Sequence, residues 1–205
     1  MRLNQRIAFP KNYIVWDLET GGLDPKTCPI VEVAVVIVQD GVIADQWSAL
    51  LNNNVDIDER ATAVHGITKE MCEKDGKDPA QVLLRLLQNI VDCEAHVTHN
   101  GSRFDIIFLE EALKAIGADL SIEDLKNKHI DTAALYKADG MREPRGWQEG
   151  WNDYFNRVLN LRVPGLKYNV GACCDELNIS REGVQQHRAL ADVILTNEIY
   201  KRLIE

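Results

Sequence analysis

Positive charge is scarce in this chain: Lys and Arg number 23 against 32 Asp and Glu, a formal net charge of −9 over 205 residues. A protein that coats nucleic acid or an anionic membrane through bulk charge needs the opposite balance. The shortage still leaves room for a local nucleic-acid site. Paired cysteines are missing as well. The five cysteines, Cys28, Cys72, Cys93, Cys173 and Cys174, are odd in number and show no C-x-x-C spacing. Neither a disulfide framework nor a zinc knuckle is indicated, and a reducing, cytoplasmic setting is the expectation. The adjacent Cys173 and Cys174 read as part of a buried helix face. Long apolar runs are absent too. The longest, Val33 to Val38, is far too short to cross a bilayer, and the first dozen residues lack the apolar stretch of a signal peptide, so no membrane role is expected. No repeat or low-complexity tract interrupts the chain. What remains, 45% hydrophobic and 27% charged residues, is a globular composition. The length suits one domain spanning 1–205 with its own core.

The pattern of elements is that of an α/β protein. Tyr13-Ile-Val-Trp-Asp17 is β-branched and aromatic and ends at Gly21-Gly22, a strand and a turn. Ile30 to Val38 reads as a second strand buried on both faces, and Asp40-Gly41 as the turn of a hairpin to a third strand, Val42 to Leu51. A short helix is expected after Thr68, and a longer one opens at Asp78-Pro79. In that longer helix Val82, Leu83, Leu86, Leu87, Ile90 and Val91 recur at helical spacing. Gln81 to Leu86 superficially resembles a sliding-clamp peptide, but this amphipathic setting predicts burial. Strands at 94–99 and 128–131 follow, with helices at 104–116, 132–138, 167–177 and 188–203. Three strands followed by alternating helices and strands predict a mixed sheet, antiparallel at one edge. Residues 140–165 stand apart. They hold Trp147, Trp151, Tyr154 and Phe155 interleaved with Arg142, Arg145, Arg157 and Arg162. That mixture suits single-strand binding. The simpler expectation is a helix-and-loop excursion whose aromatics cover the core or a dimer contact.

Three carboxylate motifs fall at element ends. Asp17 and Glu19, two apart on a strand, point to the same face. Two adjacent anions repel unless a cation lies between them, although the pair alone equally suits a solvated strand end. Asp105 starts a helix, where the dipole favours an acid. His187 and Asp192 are five apart, which puts His187 in a loop or cap and Asp192 in the first turns of the last helix. Together they supply four carboxylates and an imidazole. Hard divalent ions such as Mg²⁺ and Mn²⁺ take carboxylate oxygens. Two such ions about 4 Å apart clamp the attacking and leaving oxygens of a phosphodiester. A histidine titrating near neutral pH can take the proton of the attacking water.

Asp17-Leu-Glu19-Thr-Gly-Gly-Leu23, Val64-His-Gly-Ile-Thr68, His99-Asn-Gly-Ser-Arg-Phe-Asp105 and His187-Arg-Ala-Leu-Ala-Asp192 resemble, in order and spacing over about 190 residues, the motifs of the DnaQ-like, DEDDh 3′–5′ exonucleases. A sister group carries Tyr four residues before the last Asp. Here that position is Arg188, so the His subclass is the one resembled. The resemblance implies an RNase H-like fold with a five-stranded mixed sheet flanked by helices. It implies two Mg²⁺ or Mn²⁺ ions: Asp17, Glu19 and Asp192 for the first, with Asp17 bridging to a second held by Asp105. It makes His187 the general base. It places Leu23, after the Thr20-Gly-Gly turn, on the terminal base, and His65 and Ile67 around the 3′ nucleotide. Asn100 supports the site from the second motif.

Two departures qualify the match. Three residues, Gly101-Ser102-Arg103, stand where the second motif usually has two. That longer form resembles the RNase T/Trex-like branch, which trims DNA ends and dimerises, and it offers Arg103 to a phosphate. A homodimer through 140–165 is compatible with it. Many relatives also carry a Glu five residues before the loop His. Here Arg60 holds that position, so the contact to the terminal sugar is not expected in its usual form. The chain ends directly after its last helix, which reads as a free-standing nuclease. The expected function is a metal-dependent 3′–5′ exonuclease releasing nucleoside 5′-monophosphates, with single-stranded DNA or frayed 3′ ends favoured over RNA. An exoribonuclease of the same family is the nearest alternative. A non-catalytic end-binding module is the alternative of another class.

Overall fold

The computed structural model describes residues 9–118, 122–182 and 188–204, and of residues 122–124 the backbone alone. The β-branched run Tyr13–Thr20 forms β1, Ile30–Gln39 forms β2 and Val42–Leu50 forms β3. These three make an antiparallel meander. Asp40 and Gly41, with φ of 50° and 79°, supply the left-handed turn that a two-residue hairpin needs. β4 (Ala95–Thr98) lies parallel to β1, and β5 (His129–Asp131) parallel to β4. The order β3-β2-β1-β4-β5 is the five-stranded mixed sheet that the sequence predicts.

Helices cover both faces, and strand alternation assigns each core its residues. On one face Ile14, Trp16 and Leu18 of β1 pack with α3 (Pro79–Asp92), α4 (Asp105–Ala115) and Leu125 of α5 (Ile122–Asn127). On the other, Tyr13 and Val15 meet α6 (Thr132–Met141), α7 (Trp151–Asn160), α8 (Val170–Glu176) and α9 (Ala189–Ile204). Continuing that second row along β1 puts Asp17 and Glu19 on the α9 face. Ala34, Val36 and Val38 of β2 belong to the same core, so Glu32 stands on that face as well. Two short helices, α1 (Glu59–His65) and α2 (Lys69–Asp75), bridge the meander to α3.

Several expectations are refined. α1 was not among the expected helices; its start is fixed by Asp58, whose side chain accepts from Arg60 N. Val91, predicted on the apolar stripe of α3, is 50% exposed, whereas Val82, Leu83, Leu86 and Ile90 are buried. In the clamp-like stretch Val82, Leu83 and Leu86 are therefore core, whereas Leu84 is 50% exposed. α8 begins at Val170 and not at Lys167, because Asn169 caps it through Ala172 N at 2.9 Å. Cys173 and Cys174 are both buried there.

The segment 140–165 is mainly core cover. Tyr154, Phe155 and Val158 of α7 are fully buried. Arg157 forks onto Glu149 at 2.6 and 2.9 Å and reaches Glu143 at 2.6 Å, and Arg145 lies over the Trp151 ring. Those two arginines serve the segment itself. Among the described residues no helix is long and apolar enough to cross a membrane.

Candidate active site

Asp17 and Glu19 leave the end of β1 on one face, and α9 brings Asp192 in its first turn to meet them. Each of the three offers a carboxylate oxygen within 4.8 Å of the others, and each is half-buried. Asp105, the first residue of α4, is 4% exposed and accepts from Leu18 N at 3.2 Å, which fixes it beside β1. The turn leading to Asp105 has little freedom. Gly101 has no room for a side chain: a Cβ would sit 2.1 Å from Thr98 Oγ1 and 3.1 Å from Asp105 Oδ2. Asp131, fully buried at the end of β5, accepts from Asn100 N at 3.0 Å, Ser102 N at 3.1 Å and Ala134 N at 3.1 Å. One carboxylate thus shapes the second motif and caps α6.

The cluster is electrostatically strained. Burial, followed by the charges of Asp105, Glu19 and Asp192, holds the Asp17 carboxyl well above the usual carboxylate range. Burial and Asp192 push Glu19 up to about 8, with Arg188 pulling the other way. Burial raises Asp105 to about 7 against its backbone hydrogen bonds. Acids crowded in this way favour a cation between them. An all-carboxylate donor set fits a hard divalent ion and gives no reason for zinc or copper.

Glu32 escapes a motif reading and is central here. It is cross-strand from Glu19 and its side chain is 3% exposed. Arg188 grips it with Nη2 on Oε1 at 2.8 Å and Nε on Oε2 at 3.2 Å, and Ala189 N donates to Oε2 at 3.2 Å. The start of α9, and so Asp192, is pinned to β2 by this fork. The available signal was one acid inside the apolar run Ile-Val-Glu-Val-Ala-Val-Val.

The expected substrate contacts divide. Leu23 is 86% exposed on its turn and offers an apolar face to a base. Asn100, with φ of 64°, and Asp192 line one cleft. Arg103 is exposed and its Nη2 donates to Asn160. Thr20 turns inward, its hydroxyl donating to Gly22 O at 2.7 Å. His65 and Ile67 turn inward as well. His65 Nε2 donates to Thr20 O at 3.2 Å and its Nδ1 accepts from Ile67 N at 3.0 Å, so both ring nitrogens are spent on holding the loop. Ile67 is fully buried beside Val31 and Cys72 and presents no side-chain surface. His187 lies outside the described residues.

Comparison with known proteins agrees with this geometry. PolC-type DNA polymerase III of Thermotoga petrophila is 28% identical over 193 residues, 94% of this chain but 12% of that protein. The chain therefore spans about an eighth of that relative's length. DNA polymerase III subunit epsilon of Rickettsia felis is 28% identical over 193 residues, covering 93% of this chain and 72% of the relative. Among solved structures, E. coli exonuclease I in complex with a dA16 oligonucleotide matches with a TM-score of 0.74 at 18% identity, over 95% of this chain and 41% of that one. That likeness shows the fold, which is RNase H-like. The RNase_T exonuclease model matches residues 14–200, from the second residue of β1 to the last turns of α9. By that match the chain belongs to the RNase_T exonuclease family, within the DnaQ-like 3′–5′ exonucleases.

Proposed function

We propose that this chain is a metal-dependent 3′–5′ exonuclease that acts as one unit on the 3′ end of DNA and releases nucleoside 5′-monophosphates. The observation that carries the reading is the convergence of Asp17, Glu19 and Asp192 within 4.8 Å, with Asp105 held against the same strand. Asp17, Glu19 and Asp192 would hold one Mg²⁺ or Mn²⁺, and Asp105 with Asp17 a second. When bound, such ions supply Lewis-acid stabilisation of charge on the phosphodiester oxygens. His187 takes a proton from the water that attacks phosphorus. A P–O bond to that water forms, the P–O3′ bond breaks, and the shortened strand leaves with its 3′ hydroxyl. Leu23 orients the terminal nucleotide by packing on its base. Glu32 and Arg188 hold α9 so that Asp192 stays in register with β1.

The preference for DNA rests on the relatives, which are DNA polymerase III proteins, and on the deoxyoligonucleotide carried by the exonuclease I structure. Five free cysteines suit a reducing, cytoplasmic setting. A homodimer would use the 140–165 segment, whose Trp147 is 94% exposed. The complete carboxylate quartet speaks against a non-catalytic end-binding module.

The test is digestion of matched DNA and RNA oligonucleotides labelled at either end, with Mg²⁺ or Mn²⁺. Mononucleotides should leave in sequence from the 3′ end, faster from DNA. Chelation should abolish cleavage, and His187→Ala should do so with the fold intact by circular dichroism. Chelator-resistant or internal cleavage would overturn the proposal. Faster release from RNA would move it to the exoribonuclease reading.

A further inference from the structure

A groove leads away from the acidic cluster, and beyond His99, Asn100, Arg103 and Asp192 it is built of a part of the chain that the family motifs leave out. Its first part, a cleft of about 880 Å³, begins at Asn100 and Asp192 and passes the start of α8 to Lys167 and Arg181. Its second part, about 520 Å³, lies beside Arg103, Lys137 and Arg162. Leu166 and Tyr168 line both, so the two parts adjoin. The walls hold five cations, Arg103, Lys137, Arg162, Lys167 and Arg181, against two anions, Asp175 and Asp192. That balance is the reverse of a chain at −9.

The cations have different duties. Lys137 is buried; its Nζ donates to Leu159 O at 2.9 Å and to Leu161 O, and lies 4.9 Å from the centre of the Tyr168 ring. It closes the end of α7 and builds the floor. Arg181 is paired with Asp175 at 2.5 Å. Arg162 and Lys167 are exposed, and neither side chain has an ion pair or hydrogen bond among the described residues. The loop that carries them is tied to the catalytic motif, because His99 Nε2 donates to Tyr168 O at 2.7 Å. His99 immediately precedes Asn100, so groove and acidic cluster share one anchor.

We infer that this groove is the path of the substrate strand on the 5′ side of the scissile phosphate. Arg162 and Lys167 meet backbone phosphates, and the half-buried Tyr168 ring offers a stacking face, the combination by which proteins hold single strands without reading sequence. On this path the terminal nucleotide sits at the carboxylates and the following nucleotides run along the groove. The inference rests on the exonuclease reading, and it names what that reading lacks: a grip longer than one nucleotide.

The double variant Arg162→Ala/Lys167→Ala tests it on two substrates. One is the 4-nitrophenyl ester of thymidine 5′-monophosphate, which has no upstream strand. The other is a labelled DNA 12-mer. On the 12-mer KM should rise about tenfold with kcat unchanged, while kcat/KM on the ester stays within about twofold. The slope of log affinity against log salt should weaken by about 1 to 1.5, at about 0.7 per phosphate contact for a single strand. Equal losses on both substrates, or no loss on the 12-mer, would overturn the path. If the unaltered protein cleaves neither substrate, the exonuclease reading fails on its own. Fluorescence anisotropy of the 12-mer in an Asp17→Asn background then still decides the path, by whether the double variant weakens binding.

Discussion

Two polar clusters are buried in the same sheet, and they are built on opposite principles. On the α9 face Asp17 and Glu19 crowd with Asp192, Asp105 reaches β1 from the start of α4, and the carboxyls of Asp17, Glu19 and Asp105 are held above the usual carboxylate range. On the other side of β1, Trp16 Nε1 donates to His96 Nδ1 at 3.1 Å, and His96 Nε2 donates to Leu125 O at 2.6 Å. His129 stacks on His96 at 5.1 Å and meets Thr98 Oγ1 at 2.8 Å through Nε2. Burial holds both imidazoles down at about 3, so they stay neutral. Only His129 Nδ1 has no partner there. The histidine cluster neutralises itself and serves the fold. In the carboxylate cluster Asp17, Glu19 and Asp105 are pushed above their ordinary range, and that crowding makes it the candidate site. Burial of polar groups is common to both; what differs is whether the protein supplies the counter-charge.

Asp17→Asn gives the largest effect and strikes the comparison at its centre. Cleavage should fall by at least about 10³-fold, the scale of losing a main charge-stabilising group. Stability without metal should move the other way. A raised carboxyl pKa means that the folded state keeps a proton which the unfolded chain releases above the ordinary range. Metal-free stability should therefore decline as pH climbs from about 4.5 towards the value of about 8 for Glu19. Thermal melts in chelator from pH 5 to 9 read this slope. Asp17→Asn should flatten it, and excess Mg²⁺ or Mn²⁺ should abolish it in the unaltered protein. A flat profile in the unaltered protein without metal would mean that the cluster is not strained.

Glu32→Gln is a middle-sized perturbation that sharpens the same contrast, since Glu32 is an acid on the α9 face held by the cation of Arg188. The amide keeps shape but loses charge on the fork with Arg188. Residues that orient a metal ligand typically cost 10- to 100-fold in metal affinity or activity when changed. The Mn²⁺ concentration for half-maximal cleavage should rise within about that range, and calorimetric Mn²⁺ binding should weaken in parallel. An unchanged Mn²⁺ requirement would reduce the Glu32 fork to a plain packing contact.

How much of this was legible in the sequence follows from how local each feature is. Asp17 and Glu19 share a strand and face by simple alternation, and Asp105 begins a helix, so sequence spacing alone finds them. Glu32 is 156 residues from Arg188, and Asp131 is 31 from the Asn100 it orients. Neither pairing leaves a local trace. α1 was missed as a helix because it is only seven residues long, and α7 fell within a helix-and-loop excursion whose bounds the charge pattern did not fix. His65 ends α1 and Ile67 follows it, and family likeness could not tell a residue that shapes this segment from one that touches substrate. Burial decides that, and burial is a property of the assembled fold.

The smallest effect comes from the cluster that needs no ion. His96 and His129 have pKa values near 3 when folded, against about 6.5 for a free imidazole. The unfolded chain therefore binds protons that the folded state refuses. Their contribution is complete above about 6.5 and is lost as pH falls towards 3. This limb runs opposite to the carboxylate limb, and the two overlap between about 4.5 and 6.5. Asp17→Asn weakens the carboxylate limb and makes the other readable. In that background His129→Gln, whose amide can still reach Thr98 Oγ1, removes one of the two buried imidazoles. The slope of unfolding free energy between pH 4 and 6 should become shallower, at a cost near neutrality of about 1 kcal/mol for a perturbed hydrogen bond. Placed alone in the otherwise unaltered protein, His129→Gln should keep cleavage within about twofold, because the histidine pocket lies across the sheet from Asp17, Glu19 and Asp192. A large loss of cleavage would show that the two clusters are coupled through β1, and the division between a self-neutralised cluster and an unbalanced one would no longer separate structure from function.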